Sequence, residues 1–112
     1  MATKRTIRGT QYNIGQIVDD AIAAVEGMAL DTDKARKSLQ FMGHQNPSDE
    51  LVIRYAREAA ILKHMQRATG AAFDRQIGNI SFESREATIK GVESYLNRRN
   101  AGNRARWTES HR

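Results

Sequence analysis

A chain of 112 residues with a formal net charge of +5, one proline, one tryptophan and no cysteine has the size of one small domain. The lack of cysteine excludes a disulfide framework, a thiolate nucleophile and a zinc ribbon. No run of about 18 apolar residues is present for a membrane span, and residues 1–12 lack the apolar stretch of a secretory signal. The expectation is a soluble, unprocessed protein of a reducing, cytoplasmic compartment.

Residues 1–12 open the chain as a basic arm, with Lys4, Arg5 and Arg8 and no acid up to residue 8. From Asn13 the apolar side chains Ile14, Ile17, Val18, Ala21, Ile22, Val25 and Met28 recur at the i, i+3, i+4, i+7 spacing of a helix with one buried stripe. Asn13 is suited to the N-cap, and Gln16 completes a capping-box pattern. A second, shorter helix starts at Asp31 or Thr32, sets Ala35, Leu39 and Met42 on one face and stops at Gly43. Its Lys34, Arg36 and Lys37 form a basic cluster near the positive end of the helix dipole, to be offset by solvent, by Asp31 and Asp33, or by an anion.

Asn46, Pro47, Asp49 and Glu50 read as a cap, a first-turn proline and first-turn acids, which predicts a long third helix running to Thr69 before Gly70. Leu51, Val52, Tyr55, Ala59 and Leu62 make one apolar arc on it. Ile53, Ile61 and Met65 lie off that arc and are expected to form an interface between copies of the chain. Two helices joined by a short glycine-containing turn outline a helix-turn-helix reader. Against that reading, Ser48, Asp49 and Glu50 would bring carboxylates towards phosphates, so an ordinary helical corner is expected.

Residues 72–84 divide the expectation. Phe73, Arg75 and Ile77, then Gly78 and Asn79, then Ile80 and Phe82 carry the alternation of a small β-hairpin, while a helix extension or loop fits the shortness of the runs. Ser84 is suited to cap a last helix with a stripe of Ile89, Val92, Tyr95 and Leu96 that fades at Arg98, Arg99 and Asn100. The fold class is therefore mainly α, a compact bundle of about four helices around a long central one. Its domain spans residues 13–99, between a basic N-terminal arm of 1–12 and a basic C-terminal tail of 100–112.

Charge is partitioned along the chain. Residues 1–8 carry +3, residues 98–112 carry +4, and residues 9–97 carry −2. The ends are poor in large apolar side chains and cannot offset their own ordering entropy by burial. Lys4, Arg5, Arg8, Arg98, Arg99, Arg104, Arg106 and Arg112 suit phosphates, and Trp107 offers a stacking surface for an unpaired base.

Catalytic signatures are missing. His44, His64 and His111 stand apart without a ligand partner at metal spacing, and no phosphate loop, dinucleotide fingerprint or nucleophile elbow occurs. Neither a metal nor a cofactor nor a small-molecule substrate is indicated. The expected function is a non-enzymatic, oligomeric helical module that binds nucleic acid or another polyanion, such as an acidic protein surface, without strong sequence preference. The alternative is a protein-interaction part, an adaptor, inhibitor or structural subunit whose arms contact neighbouring subunits.

Overall fold

A computed structural model of the chain describes the backbone of residues 4–7, 10–73 and 77–110, and the side chains of residues 13–73 and 77–97. Its elements are β1 (Lys4–Ile7), β2 (Thr10–Asn13), α1 (Ile14–Glu26), α2 (Thr32–Phe41), α3 (Asp49–Thr69) and α4 (Arg85–Ser110). The protein is mainly helical, as the apolar periodicity predicts. Within the expected N-terminal arm, β1 and β2 pair antiparallel with Lys4 opposite Asn13 and Ile7 opposite Thr10, and β2 runs straight into α1.

Local chemistry sets most helix ends. The Asn13 side chain accepts the Gln16 N–H at 3.1 Å. Gln16 does not reach back to complete a capping box; its amide donates to Asp20 one turn on, at 2.8 Å. Asp31 caps α2 by accepting the Lys34 N–H at 3.0 Å. The same helix closes with Gly43 at φ 105, where the Gly43 and His44 N–H groups donate to the Gln40 and Leu39 carbonyls. That double closure needs a left-handed residue, which only glycine adopts without strain. Met42 follows the last helical residue and is 55 % exposed, so the expected face of Ala35, Leu39 and Met42 keeps only its first two members buried.

The cap of α3 is Ser48 rather than Asn46, with Ser48 Oγ accepting the Leu51 N–H at 3.1 Å. Pro47 therefore stands before the cap, buried, and Asp49 and Glu50 fill the first turn, where the dipole favours acids. At the other end Gly70, at φ 73, donates to the Gln66 carbonyl. The neighbouring Thr69 hydroxyl donates to the Met65 carbonyl and accepts the Ala71 N–H, turning the chain back over the core.

The two apolar sectors of α3 are used at different heights. Val52 and Ala56, near its start, pack with Ala35 and Leu39 of α2. Ile61, Leu62 and Met65, further along, pack with Ile14, Val18, Ala21 and Val25 of α1 and with Val92 and Leu96 of α4. Ile61 and Met65 are 0 % exposed, which corrects their reading as an interface: the pair belongs to the core cluster of the same chain. Of the three expected interface residues only Ile53 is exposed, at 52 %.

Of the two expectations for 72–84, the hairpin is not supported. Among the described residues of this segment there is no strand, and 77–79 is a turn. Alternation did mark which side chains go inward, since Phe73 and Ile80 are buried and Ile77 and Phe82 pack against the core. Three backbone carbonyls of the segment accept hydrogen bonds from side chains of α4. Tyr95 donates its hydroxyl to the Ala72 carbonyl, and Thr88 Oγ1 shares its proton between the carbonyls of Ser81 (3.1 Å) and Ser84 (3.0 Å). Tyr95 also packs on Phe73, ring centroids 5.0 Å apart.

Ser84 caps α4 as expected, its Oγ accepting the Ala87 N–H. The helix does not fade at Asn100. It continues across the expected tail boundary to Ser110, so its 26 residues extend about 39 Å at 1.5 Å per residue. Among the described residues its core positions end at Leu96.

Ile61→Ala or Met65→Ala should cost about 2–5 kcal/mol through lost burial and the cavity left behind. Denaturant midpoints measure this, and sedimentation should show an unchanged mass; a fully stable variant of lower mass would return the pair to an interface. At Gly91 an added Cβ would lie 2.9 Å from Ile80 Cγ2 and 3.3 Å from Ile80 Cα. Overpacking of about 1–3 kcal/mol should outweigh a helix gain of about 0.5–1 kcal/mol, making Gly91→Ala destabilising. In an Ile80→Ala background that loss should shrink, as a double-mutant cycle of thermal unfolding would show.

Candidate functional site

The basic residues expected to bind a polyanion are distributed over both ends of the fold. Lys4 and Arg5 belong to β1, and Arg98, Arg99, Arg104, Arg106 and Trp107 belong to the second half of α4; of these the backbone is described. Arg8 and Arg112 lie outside the described residues. Within the body, two arginines already have anionic partners. Arg85 grips Asp19 with two hydrogen bonds, Nε to Oδ1 at 2.6 Å and Nη2 to Oδ2 at 3.2 Å, tying the start of α4 to α1 across a sequence separation of 66. Gly15 makes room for it, since a Cβ there would stand 3.0 Å from Arg85 Nη2.

Arg36, from the basic cluster of α2, is the other. Its guanidinium donates to the Pro47 carbonyl at 3.2 Å and to Asp49 Oδ1 at 2.9 Å. One side chain thus clamps the α2–α3 corner and neutralises the first acid of α3. Lys34 and Lys37 of the same cluster are exposed.

A cleft of about 400 Å³ lies between the α1–α2 connection, α2 and α3. Its walls carry small side chains, Ala35 from α2 and Ala56, Ala59 and Ala60 from α3, and Leu30, Leu62 and Ile77 add apolar surface. Polar groups reach it from Lys34, Ser38, Tyr55, Lys63 and Gln66. Gln66 Oε1 is buried and has no hydrogen-bond partner. A buried amide oxygen without a donor is costly in a folded protein. Sequence reading missed this cleft.

A second, shallower groove holds Met42, Leu51, Tyr55, Ile77 and Gly78 with Arg54 and Glu58. Burial pushes the Glu58 carboxyl above the usual glutamate range, against the pull of Arg54 and Arg57. Phe41, next to Met42, is 93 % exposed. Among the described residues no three His, Cys, Asp or Glu side chains gather as metal ligands, and no helix is long and apolar enough to cross a membrane.

Comparison with protein-family models, with curated proteins and with solved structures finds no match to this chain.

The raised pKa of Glu58 implies that its ionisation destabilises the fold. The contribution is most favourable below the ordinary glutamate range and is lost as pH rises through the folded-state value. Glu58→Gln should therefore gain stability relative to the parent at pH 7 and not at pH 4, by a small amount because the group is partly solvated. Urea unfolding at the two pH values checks the sign, and an equal effect at both would remove burial of the charge as its cause.

Proposed function

We propose that the chain is a non-enzymatic helical module that binds nucleic acid through its basic ends, without strong sequence preference. The observation that carries this reading is the partition of charge: +3 in residues 1–8, +4 in 98–112 and −2 between them. Inside the body the ion pairs of Arg36 and Arg85 reduce what remains for a polyanion. The helical backbone of α4 further supports it. From Arg98 to Arg106 it rises about 12 Å at 1.5 Å per residue, about the spacing of three to four phosphates along one strand at 3.4 Å each.

A specific observation favours the second reading, a protein-interaction part. Phe41, Met42 and Ile53 expose 93 %, 55 % and 52 % of their surface, apolar area of a kind that partner proteins cover. Salt separates the two readings, because phosphate binding releases counterions and apolar docking does not.

If four to six of the eight basic side chains at the ends meet duplex phosphates, log affinity should fall against log salt with a slope of about −3.6 to −5.4. Charge-removing substitutions at Lys4, Arg5, Arg104 and Arg106 in the full chain should flatten that slope and leave helical content unchanged. Trp107→Ala should weaken single-strand binding by about 1–3 kcal/mol and duplex binding less. Affinity measured at several salt concentrations decides: no binding near 50 mM salt, or an unchanged slope after the substitutions, removes nucleic acid as the partner.

A further inference from the structure

We propose that the chain forms a two-fold homodimer in which Phe41 of each copy covers the other's groove of Met42, Leu51, Tyr55 and Ile77, and Arg54 of each copy pairs with Glu58 of the other. The interface does not use the basic ends and forms whether or not they bind nucleic acid. Both halves of such a contact stand side by side in one chain. Phe41 is 93 % exposed, and an aromatic ring left in water gains from a covering apolar surface. Met42, directly after it, lines the groove of about 390 Å³ with Leu51 and Tyr55 of α3 and with Ile77. A two-fold interface is self-complementary, so a patch that meets residue j through residue i must also offer j to the partner's i. A ring set next to an apolar groove satisfies that condition.

The charges of the groove point to a second copy as its occupant. Arg54 and Glu58, the two charged residues of the lining, are one turn apart on α3. If two copies of α3 cross antiparallel about a two-fold at the level of residue 56, Arg54 of each lies level with Glu58 of the other, giving two ion pairs of equal geometry. Glu58 is half-buried, and among the described residues it has neither a hydrogen bond nor an ion pair. A guanidinium from the second copy supplies the missing partner. The same rotation carries the Leu51 end of one groove to the level of residue 61 in the other copy. Ile77 stands towards that level, since it also lines the α2–α3 cleft with Leu62, Lys63 and Gln66. Phe41, beside Met42 at the Leu51 end, is thereby brought to Ile77 of the second copy.

Sedimentation equilibrium of the full chain, freed of nucleic acid by nuclease and a high-salt wash, tests this from micromolar to millimolar concentration. The parent should associate reversibly to the mass of two chains and no further. Phe41→Ser should weaken association at least about tenfold and leave helical content unchanged, because the ring lies almost wholly outside its own fold. Arg54→Glu and Glu58→Arg should each weaken it about tenfold, and the chain that carries both should return to within about threefold of the parent. A monomer up to millimolar concentration, a dimer indifferent to Phe41→Ser, or a double reversal no better than either single one would overturn the proposal. Should a reversal at the half-buried Glu58 fail to fold, Phe41→Ser alone still decides.

Discussion

A helix of 21 residues with apolar side chains on more than one side has to meet a neighbour on each of those sides, or leave them in water. α3 resolves this along its length. Its first turns serve α2 through Val52 and Ala56, and its later turns serve α1 through Ile61, Leu62 and Met65, in a cluster that α4 completes with Val92 and Leu96. Two hydrophobic clusters result, joined by α3 and by Leu30, which packs against both. Other features follow from that division. The α2–α3 corner must be held for the smaller cluster to close, and Arg36 holds it. The cleft lies where α2 and α3 meet through alanines, with less side-chain volume to fill the space.

The segment between α3 and α4 shows how a chain can enter a helical core without regular structure. Phe73 and Ile80 are buried, yet the carbonyls of Ala72 and Ser81 find their donors in the side chains of Tyr95 and Thr88. The close approach of Ile80 to Gly91 belongs to the same arrangement, since only a residue without Cβ lets the loop rest directly on α4. The loop and α4 are therefore one packing unit, with Tyr95 against Phe73 as its aromatic contact.

The surfaces of this protein differ in their physics. The basic ends carry charge, whose interactions are long-ranged, salt-sensitive and tolerant of geometry. The cleft between α2 and α3 offers a lining of small apolar side chains. Phe41 and Met42, at the end of α2, form a third surface, apolar and exposed. The two best-defined ion pairs, Arg36 with Asp49 and Arg85 with Asp19, tie structural elements together.

The sequence alone determined the four helices, the caps at Asn13 and Ser84, the stop at Gly43, the buried stripe of α1 and the partition of charge, because each depends on residues within a turn or two of one another. Asp31 was one of two caps it allowed for α2. It marked Phe73, Ile77, Ile80 and Phe82 as inward while leaving hairpin or loop open, since alternation reports burial and does not report where the carbonyls find donors. Only the tertiary structure decided that Ile61 and Met65 belong to the core, that Arg36 and Arg85 are committed to Asp49 and Asp19, and that alanines from two helices bound a cleft. The two ion pairs join residues 13 and 66 positions apart, and a helical wheel shows which side a residue faces but not which neighbour stands there.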